Sequence, residues 1–316
     1  MEDYPRTIDE LESRFSIEEE CRKYLVNLRW PEGFRCPRCN GIKAWPIRQM
    51  LYQCSLCGHQ TSVIAGTIFE RTRKPLVLWF RAIWWVVSQK NGASALGLKR
   101  VLGLGSYQTA WSWLHKIRRA MVRPGRDRLY GRIEVDETYL GGFEEGVRGR
   151  QTFKKALIVV AAEEKGKAIG RIRMLRIPDA SAISLRSFIV QAIEPGSTIV
   201  TDGWEGYTGL EAHGYSREVR IVKGSKELVT KLLPRVHRVV SLLKRWILGT
   251  HQGAISPEHL DYYLDEFTFR FNRRTSRHRG KLFYRLLQHA MLINPIPYGE
   301  IIKHVRGPKI RNHNML

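Results

Sequence analysis

Two aspartates and four cysteines are the residues of this chain best placed to do chemistry. Asp136 ends the run Arg132-Ile-Glu-Val-Asp136, and Asp202 ends Thr198-Ile-Val-Thr-Asp202-Gly203. Short β-branched runs of this kind predict buried strands. An acid at the end of such a strand stands at the rim of a sheet, where open α/β folds place their chemistry. Two carboxylates meeting there suit Mg²⁺ or Mn²⁺, hard cations that take oxygen ligands and substrate phosphates. The cysteines form two close pairs, Cys36-Pro-Arg-Cys39 and Cys54-Ser-Leu-Cys57, with residues 40–53 between them. Such pairs supply four thiolates to one tetrahedral Zn²⁺ and leave no open position, so the expected zinc is structural. Trp45, Ile47, Leu51 and Tyr52 in the intervening hairpin fit a zinc ribbon. Cys21 has no partner at that spacing and reads as an apolar core residue.

The chain around these groups is strongly basic. Lys+Arg 53 against Asp+Glu 30 gives a net charge of +23 and a pI near 10.1 over 316 residues. Charge of that size points to a polyanionic partner, because basic side chains release counterions from a phosphate backbone. Together with the aspartates it implies metal-assisted chemistry on nucleic acid. The length suffices for two or three domains. No apolar run reaches the ~18 residues that would span a bilayer, since residues 76–87 are interrupted by Arg81. The acidic start Met1-Glu-Asp-Tyr-Pro-Arg6 has no hydrophobic signal region. A cytoplasmic protein without membrane contact is expected, and there close cysteine pairs are metal ligands rather than disulfides.

Patterning supplies the elements that must position these groups. Residues 7–29 read as an amphipathic helical lead-in, broken at Trp30-Pro-Glu-Gly33. Residues 75–121 are helical and rich in tryptophan, and within them 92–121 outline a helix-turn-helix: a helix, a glycine-containing break, and a second helix capped by Ser106. That second helix offers Tyr107, Gln108 and Thr109 near its start, where recognition helices meet base edges. Trp111, Leu114 and Ile117 face the core, and Lys116 and Arg118 add basic charge. Strands are expected at 131–138, 155–163, 168–176, 197–201 and 217–222, with a helix at 180–193 and a helical last third. Asp136 and Asp202 meet if strands 131–138 and 197–201 lie side by side. The helix at 234–249 has a core stripe of Val236, Val239, Val240, Leu243 and Ile247, and His237, Ser241, Lys244 and Leu248 share the adjacent stripe.

Read together, several stretches carry a family resemblance. They are the two cysteine pairs, Ile133-Glu-Val-Asp136-Glu-Thr-Tyr-Leu-Gly-Gly142, and Val200-Thr-Asp202-Gly-Trp-Glu-Gly-Tyr207. His237-Arg-Val-Val-Ser-Leu-Leu-Lys244-Arg-Trp-Ile-Leu-Gly-Thr-His-Gln-Gly253 and Tyr263-Leu-Asp-Glu-Phe-Thr-Phe-Arg-Phe-Asn-Arg-Arg274 complete the set. The chain resembles bacterial insertion-sequence transposases of the ISXO-like group, over residues 15–300. The resemblance implies a zinc ribbon, then a helix-turn-helix region, then an RNase H-like α/β domain with a mixed sheet and a DDE-type site. It implies DNA cleavage and strand transfer by two divalent ions, with Asp136 bridging both and Asp202 holding one.

Such transposases place Glu or Asn on the later helix, followed by Lys. Here the matching position is His237, with Lys244 on the same face, and Glu266 is the alternative third ligand. Glu266 and Arg270 are one helical turn apart and also read as a simple surface pair. Glu134 shares a strand face with Asp136 and is a candidate support for the metal site; Glu137 points the other way. Lys244 and Arg245, with Arg270, Arg273 and Arg274 interleaved between Phe269 and Phe271, suit DNA phosphates.

The expected domains are 1–66 (lead-in helix and ribbon), 67–125 (helix-turn-helix region), 126–300 (catalytic domain) and 301–316 (basic tail). The expected partner is DNA, terminal repeats and target, bound by a homo-oligomer that brings two ends together. A non-catalytic zinc-ribbon DNA-binding repressor derived from a transposase is the competing reading.

Overall fold

The computed structural model describes residues 2–48, 50–141, 155–221, 232–253 and 255–302. It divides into two compact units, one formed by residues up to Gly125 together with those from Ser276 on, the other by Arg126–Thr275. Among the described residues no helix is long and apolar enough to cross a membrane.

The first unit begins with α1 (Ile8–Arg14) and α2 (Glu18–Arg29). The expected single lead-in helix is thus two. The chain leaves the helix at Phe15, whose ring inserts edge-on between Tyr24 and Phe80. Strands β1 (Ala44–Arg48), β2 (Leu51–Cys54) and β3 (Gln60–Ser62) form a small antiparallel sheet. Helix α3 (Leu76–Ser88) is apolar on most sides and is buried accordingly. Helices α4 (Ala95–Val101) and α5 (Tyr107–Ala120) pack together across a break that contains Gly103 at φ +61°. Ser106 caps α5 by accepting the Thr109 N–H, as the sequence suggests.

The second unit is built on a five-stranded mixed sheet. Its strands are β4 (Arg132–Leu140), β5 (Ala156–Lys165), β6 (Ala168–Ile177), β7 (Thr198–Thr201) and β8 (Ser216–Val219), in the order β6-β5-β4-β7-β8. β4, β5 and β6 run antiparallel, while β4, β7 and β8 run parallel. Helix α6 (Ala182–Ala192) covers one face through Leu185, Phe188 and Ile189, which meet Ile133, Val135 and Ile199. Helices α7 (Pro234–His251) and α8 (Leu260–Asn272) cover the other, where Val236, Val239 and Leu243 meet Ile158, Val160 and Val200. Three antiparallel strands continued by two parallel ones, with helices on both faces, make this an RNase H-like fold.

Two more helices, α9 (Arg279–Leu292) and α10 (Tyr298–Ile302), follow. The second unit ends at Thr275 rather than at the expected 300, because α9 packs on α2, α3 and α5. The tail expected from 301 lies, from 303 on, outside the described residues, as do Gly142 and Val222.

Candidate active site

Strand alternation sorts the acids of β4. Ile133 and Val135 enter the core beneath α6, so Glu134 and Asp136 face α7. On β7, Ile199 joins the first core and Val200 the second. Glu134 and Val200 are the last pair of the ladder, and Asp136 and Asp202 each lie two residues beyond it. The strand pairing expected from the sequence is therefore present: β4 and β7 are parallel neighbours, and Asp136 and Asp202 follow the same end of their ladder.

His237 completes the group from the first turn of α7, with Nε2 3.3 Å from Asp136 Oδ2. Glu134 explains why it is there. This carboxylate is 1% exposed and accepts the N–H groups of Arg235 (2.7 Å) and Val236 (3.0 Å) as well as Nη1 of Arg235 (2.9 Å). Helix α7 starts with Pro234 and has no side-chain cap of its own, so an acid from β4 serves its exposed N–H groups. Two residues beyond Glu134 is Asp136, and two beyond Arg235 is His237; fixing one pair aligns the other. Glu134 is thus committed to the helix and to Arg235, a supporting contact that acts through the placement of His237.

Asp136 Oδ1 accepts the Glu137 N–H at 2.9 Å, and Asp202 Oδ1 accepts the Trp204 N–H at 3.0 Å. Among the described residues no lysine or arginine pairs with either aspartate, in a chain of net charge +23. Two carboxylates that no lysine or arginine among the described residues pairs with, and the imidazole beside Asp136, form a donor set that fits a divalent cation.

The ribbon is a second donor set. Its four sulfurs lie within 4.8 Å of one another, with Cys36–Cys57 at 3.7 Å and Cys39–Cys54 at 3.6 Å. A tetrahedral Zn²⁺ with Zn–S near 2.3 Å requires sulfur separations of about 3.8 Å, whereas a disulfide requires about 2.05 Å. The cluster fits zinc. Gly41 belongs to the same design, since a Cβ there would lie 3.0 Å from the Cys54 sulfur and 3.3 Å from that of Cys39.

Sequence comparison decides the family. Residues 128–272 match the ISXO2-like transposase domain, and residues 16–60 match the transposase zinc-ribbon domain. The chain belongs to the ISXO2-like transposases. A protein in transposable element ISH50 of Halobacterium salinarum is 27% identical over 288 residues, covering 84% of this chain and 94% of that protein. The crystal structure of the Mos1 strand transfer complex aligns with 67% of this chain and 74% of that one, at 12% identity and a TM-score of 0.28. That likeness is too slight to bear on the fold, which rests on the strand order above.

The other expected site residues of this transposase are dispersed. Glu266 is not brought to the aspartates. Its helix, α8, packs on β6 at the sheet edge two strands from β4, and its buried carboxylate pairs with Arg270 at 2.8 Å. Lys244 is exposed, one turn and more beyond His237 on α7, at a cavity of about 900 Å³ lined also by Leu140, Lys155, Ile247 and Leu260. Partial burial lowers the Lys244 pKa, and the charge of Lys155 lowers it further. Arg245 is exposed on the same helix. Arg273 stacks on Phe269 and Arg274 on Phe271, so the basic and aromatic residues do interleave. Arg274 is also committed to the carbonyls of Ile169, Gly170 and Phe271.

On α5, Tyr107 and Gln108 are exposed and Thr109 is half-buried. Arg118 is a correction: it is 2% exposed and donates to the Ala93 carbonyl at 3.2 Å, so its charge supports the α4–α5 pair instead of meeting solvent. Lys116 is only half-exposed, and burial lowers its pKa. Charge alone singles out both residues in the sequence, and charge does not report the helix face. The acid–helix contact of Glu134 has no local signal in the sequence, since its partners lie about a hundred residues away.

Proposed function

We propose that this chain cuts and joins the DNA ends of an insertion sequence by metal-dependent phosphoryl transfer, with Asp136, Asp202 and His237 holding the metal. The observation that supports the reading is the His237–Asp136 contact at 3.3 Å next to the parallel β4–β7 pairing, where no lysine or arginine among the described residues pairs with Asp136 or Asp202. Divalent cations bound there supply Lewis-acid stabilisation of the scissile phosphate and activation of water or a 3′-hydroxyl. Asp136 and Asp202 contribute hard oxygen donors, and the His237 nitrogen shifts preference from Mg²⁺ toward Mn²⁺. Glu134 keeps His237 in place by anchoring the start of α7. Lys244, about 10 Å along the helix from His237, and Arg245 steady DNA phosphates as point charges. Tyr107, Gln108 and Thr109 read the terminal repeat, and the zinc ribbon adds a folded surface next to them in sequence. Two ends are joined within a homo-oligomer assembled on DNA.

The test is cleavage and joining of end-containing DNA in Mg²⁺ and Mn²⁺ by wild type, Asp136→Ala, Asp202→Ala, His237→Ala and Glu266→Ala. Loss of both steps in the first three variants, with sequence-specific binding intact, is expected. Glu266→Ala, provided it folds, retains activity. Specific binding with no cleavage by the wild type in either metal would replace this reading with that of a repressor derived from a transposase.

A further inference from the structure

The ladder between β4 and β7 ends at Glu134↔Val200, short of both aspartates. Something else must set the distance between Asp136 and Asp202. The segment after Asp202, Gly203-Trp204-Glu205-Gly206-Tyr207, turns back over the α6 side of the sheet in a short 3₁₀ helix, Glu205–Tyr207. Tyr207 is fully buried in the core beneath α6, yet its hydroxyl donates to Glu137 Oε2 at 2.7 Å. Glu137 is the residue after Asp136, and its own N–H donates to Asp136 Oδ1. Asp202 is tied to the same turn, because its Oδ1 accepts the Trp204 N–H.

The turn itself is locked. The Trp204 indole donates to the Ala180 carbonyl at 2.9 Å, and the Tyr207 N–H donates to the Trp204 carbonyl at 3.2 Å. A Cβ at Gly206 would lie 2.5 Å from the indole nitrogen and 2.7 Å from the Ala180 oxygen, so only glycine permits that crossing. Asp202, Trp204, Gly206 and Tyr207 thereby each have a physical reason for their residue type.

We propose that Tyr207 is a positioning residue which, through Glu137, sets the separation of the Asp136 and Asp202 carboxylates from the opposite face of the sheet. This rests on the metal-site reading above. Burial is the main cause that drives the Tyr207 pKa well above its ordinary value, followed by Glu137 and then by Asp136 and Asp202, so the phenol stays a donor and both aspartates lie within its electrostatic reach. Removing such an outer contact costs about 10–100-fold in metal affinity.

The experiment uses zinc-loaded full-length protein and two readouts. Mn²⁺ binding is measured for wild type, Tyr207→Phe, Glu137→Gln, Asp136→Ala and Asp202→Ala. Amide hydrogen exchange across 132–140 and 198–207 is measured without Mn²⁺. Tyr207→Phe should weaken Mn²⁺ binding at least ~10-fold and speed exchange at 202–207 while β5 and β6 remain protected. Glu137→Gln, whose amide oxygen still accepts the phenol proton, should stay near wild type. Wild-type Mn²⁺ affinity in Tyr207→Phe would overturn the proposal, and so would equal losses in Tyr207→Phe and Glu137→Gln. Mn²⁺ binding unchanged in both aspartate variants would instead refute the metal-site reading, leaving any accelerated exchange as the mark of a purely structural bond.

Discussion

Replacing Glu134 with alanine should loosen the start of α7 far more than its surface neighbours suggest. The carboxylate makes three bonds at 2.7–3.0 Å from a position 1% exposed, two to helix N–H groups and one to a guanidinium. Losing a helix cap costs about 0.5–2 kcal/mol, and removing one member of a buried ion pair costs about 3–5 kcal/mol. The two overlap, since one carboxylate does both. Arg235 also keeps Glu164 and the Gly166 carbonyl, which lowers the second figure. The expected loss is about 3 kcal/mol, or roughly 150-fold in the opening equilibrium of the first turn of α7. Hydrogen exchange over 232–240, with guanidinium unfolding as a second measure, reads this directly. Glu134→Gln keeps the shape without the charge and should lose about half as much. A loss below about 1 kcal/mol in Glu134→Ala would show that Val236, Val239 and Leu243 hold the helix unaided, and that the Glu134–Arg235 contact does not place His237.

Other outcomes follow from the same geometry. Cys54→Ser should remove the zinc and unfold the ribbon, whereas Cys21→Ala, which alters a buried thiol outside the cluster, should retain one zinc per chain by elemental analysis. Lys244→Ala and Lys155→Ala should each weaken DNA binding without changing sequence preference, and each should reduce the salt dependence of log K by about 1. Burial raises the pKa of Glu163, but hydrogen bonds from the Arg171 side chain and N–H outweigh it and leave the group below its ordinary 4.5. Its contribution to stability is therefore complete above 4.5 and is lost as pH falls through the lower folded value. Melting curves across that window should flatten in Glu163→Gln. His237→Glu, which restores a carboxylate, should raise activity in Mg²⁺ relative to Mn²⁺; an unchanged ratio would remove His237 from the metal shell.

Much of this architecture was legible because its signals are local. The strands around Asp136 and Asp202 announce themselves by β-branched runs, the ribbon by cysteine spacing, and the α4–α5 pair by a glycine break followed by a serine cap. Long-range partners were not legible. The runs at 279–292 and 260–272 are both amphipathic helices in sequence, yet one packs on α3 and the other on β6. Arg118 and Arg245 are equally basic in text; one is sealed against the Ala93 carbonyl and the other is exposed, and only the packed helix decides which.

The acids show most clearly how position divides labour. Glu134, Asp136 and Glu137 lie within four residues, and by charge alone all three are candidates for the same metal. The two-residue repeat of the strand sends Glu137 to the α6 face, where Tyr207 takes it, and leaves the other two facing α7. Burial then separates those two. Glu134, at 1% exposure, must be neutralised within the protein, and the start of α7 with Arg235 does so. Asp136, with a side chain 20% exposed at the sheet edge, pairs with no arginine or lysine among the described residues and meets His237 and the Glu137 N–H. Glu266 illustrates the same rule from the other side: buried and already paired with Arg270, it is satisfied without a metal. For the proposed metal site, a shortage of basic partners among the described residues is therefore a sharper guide than the presence of acids.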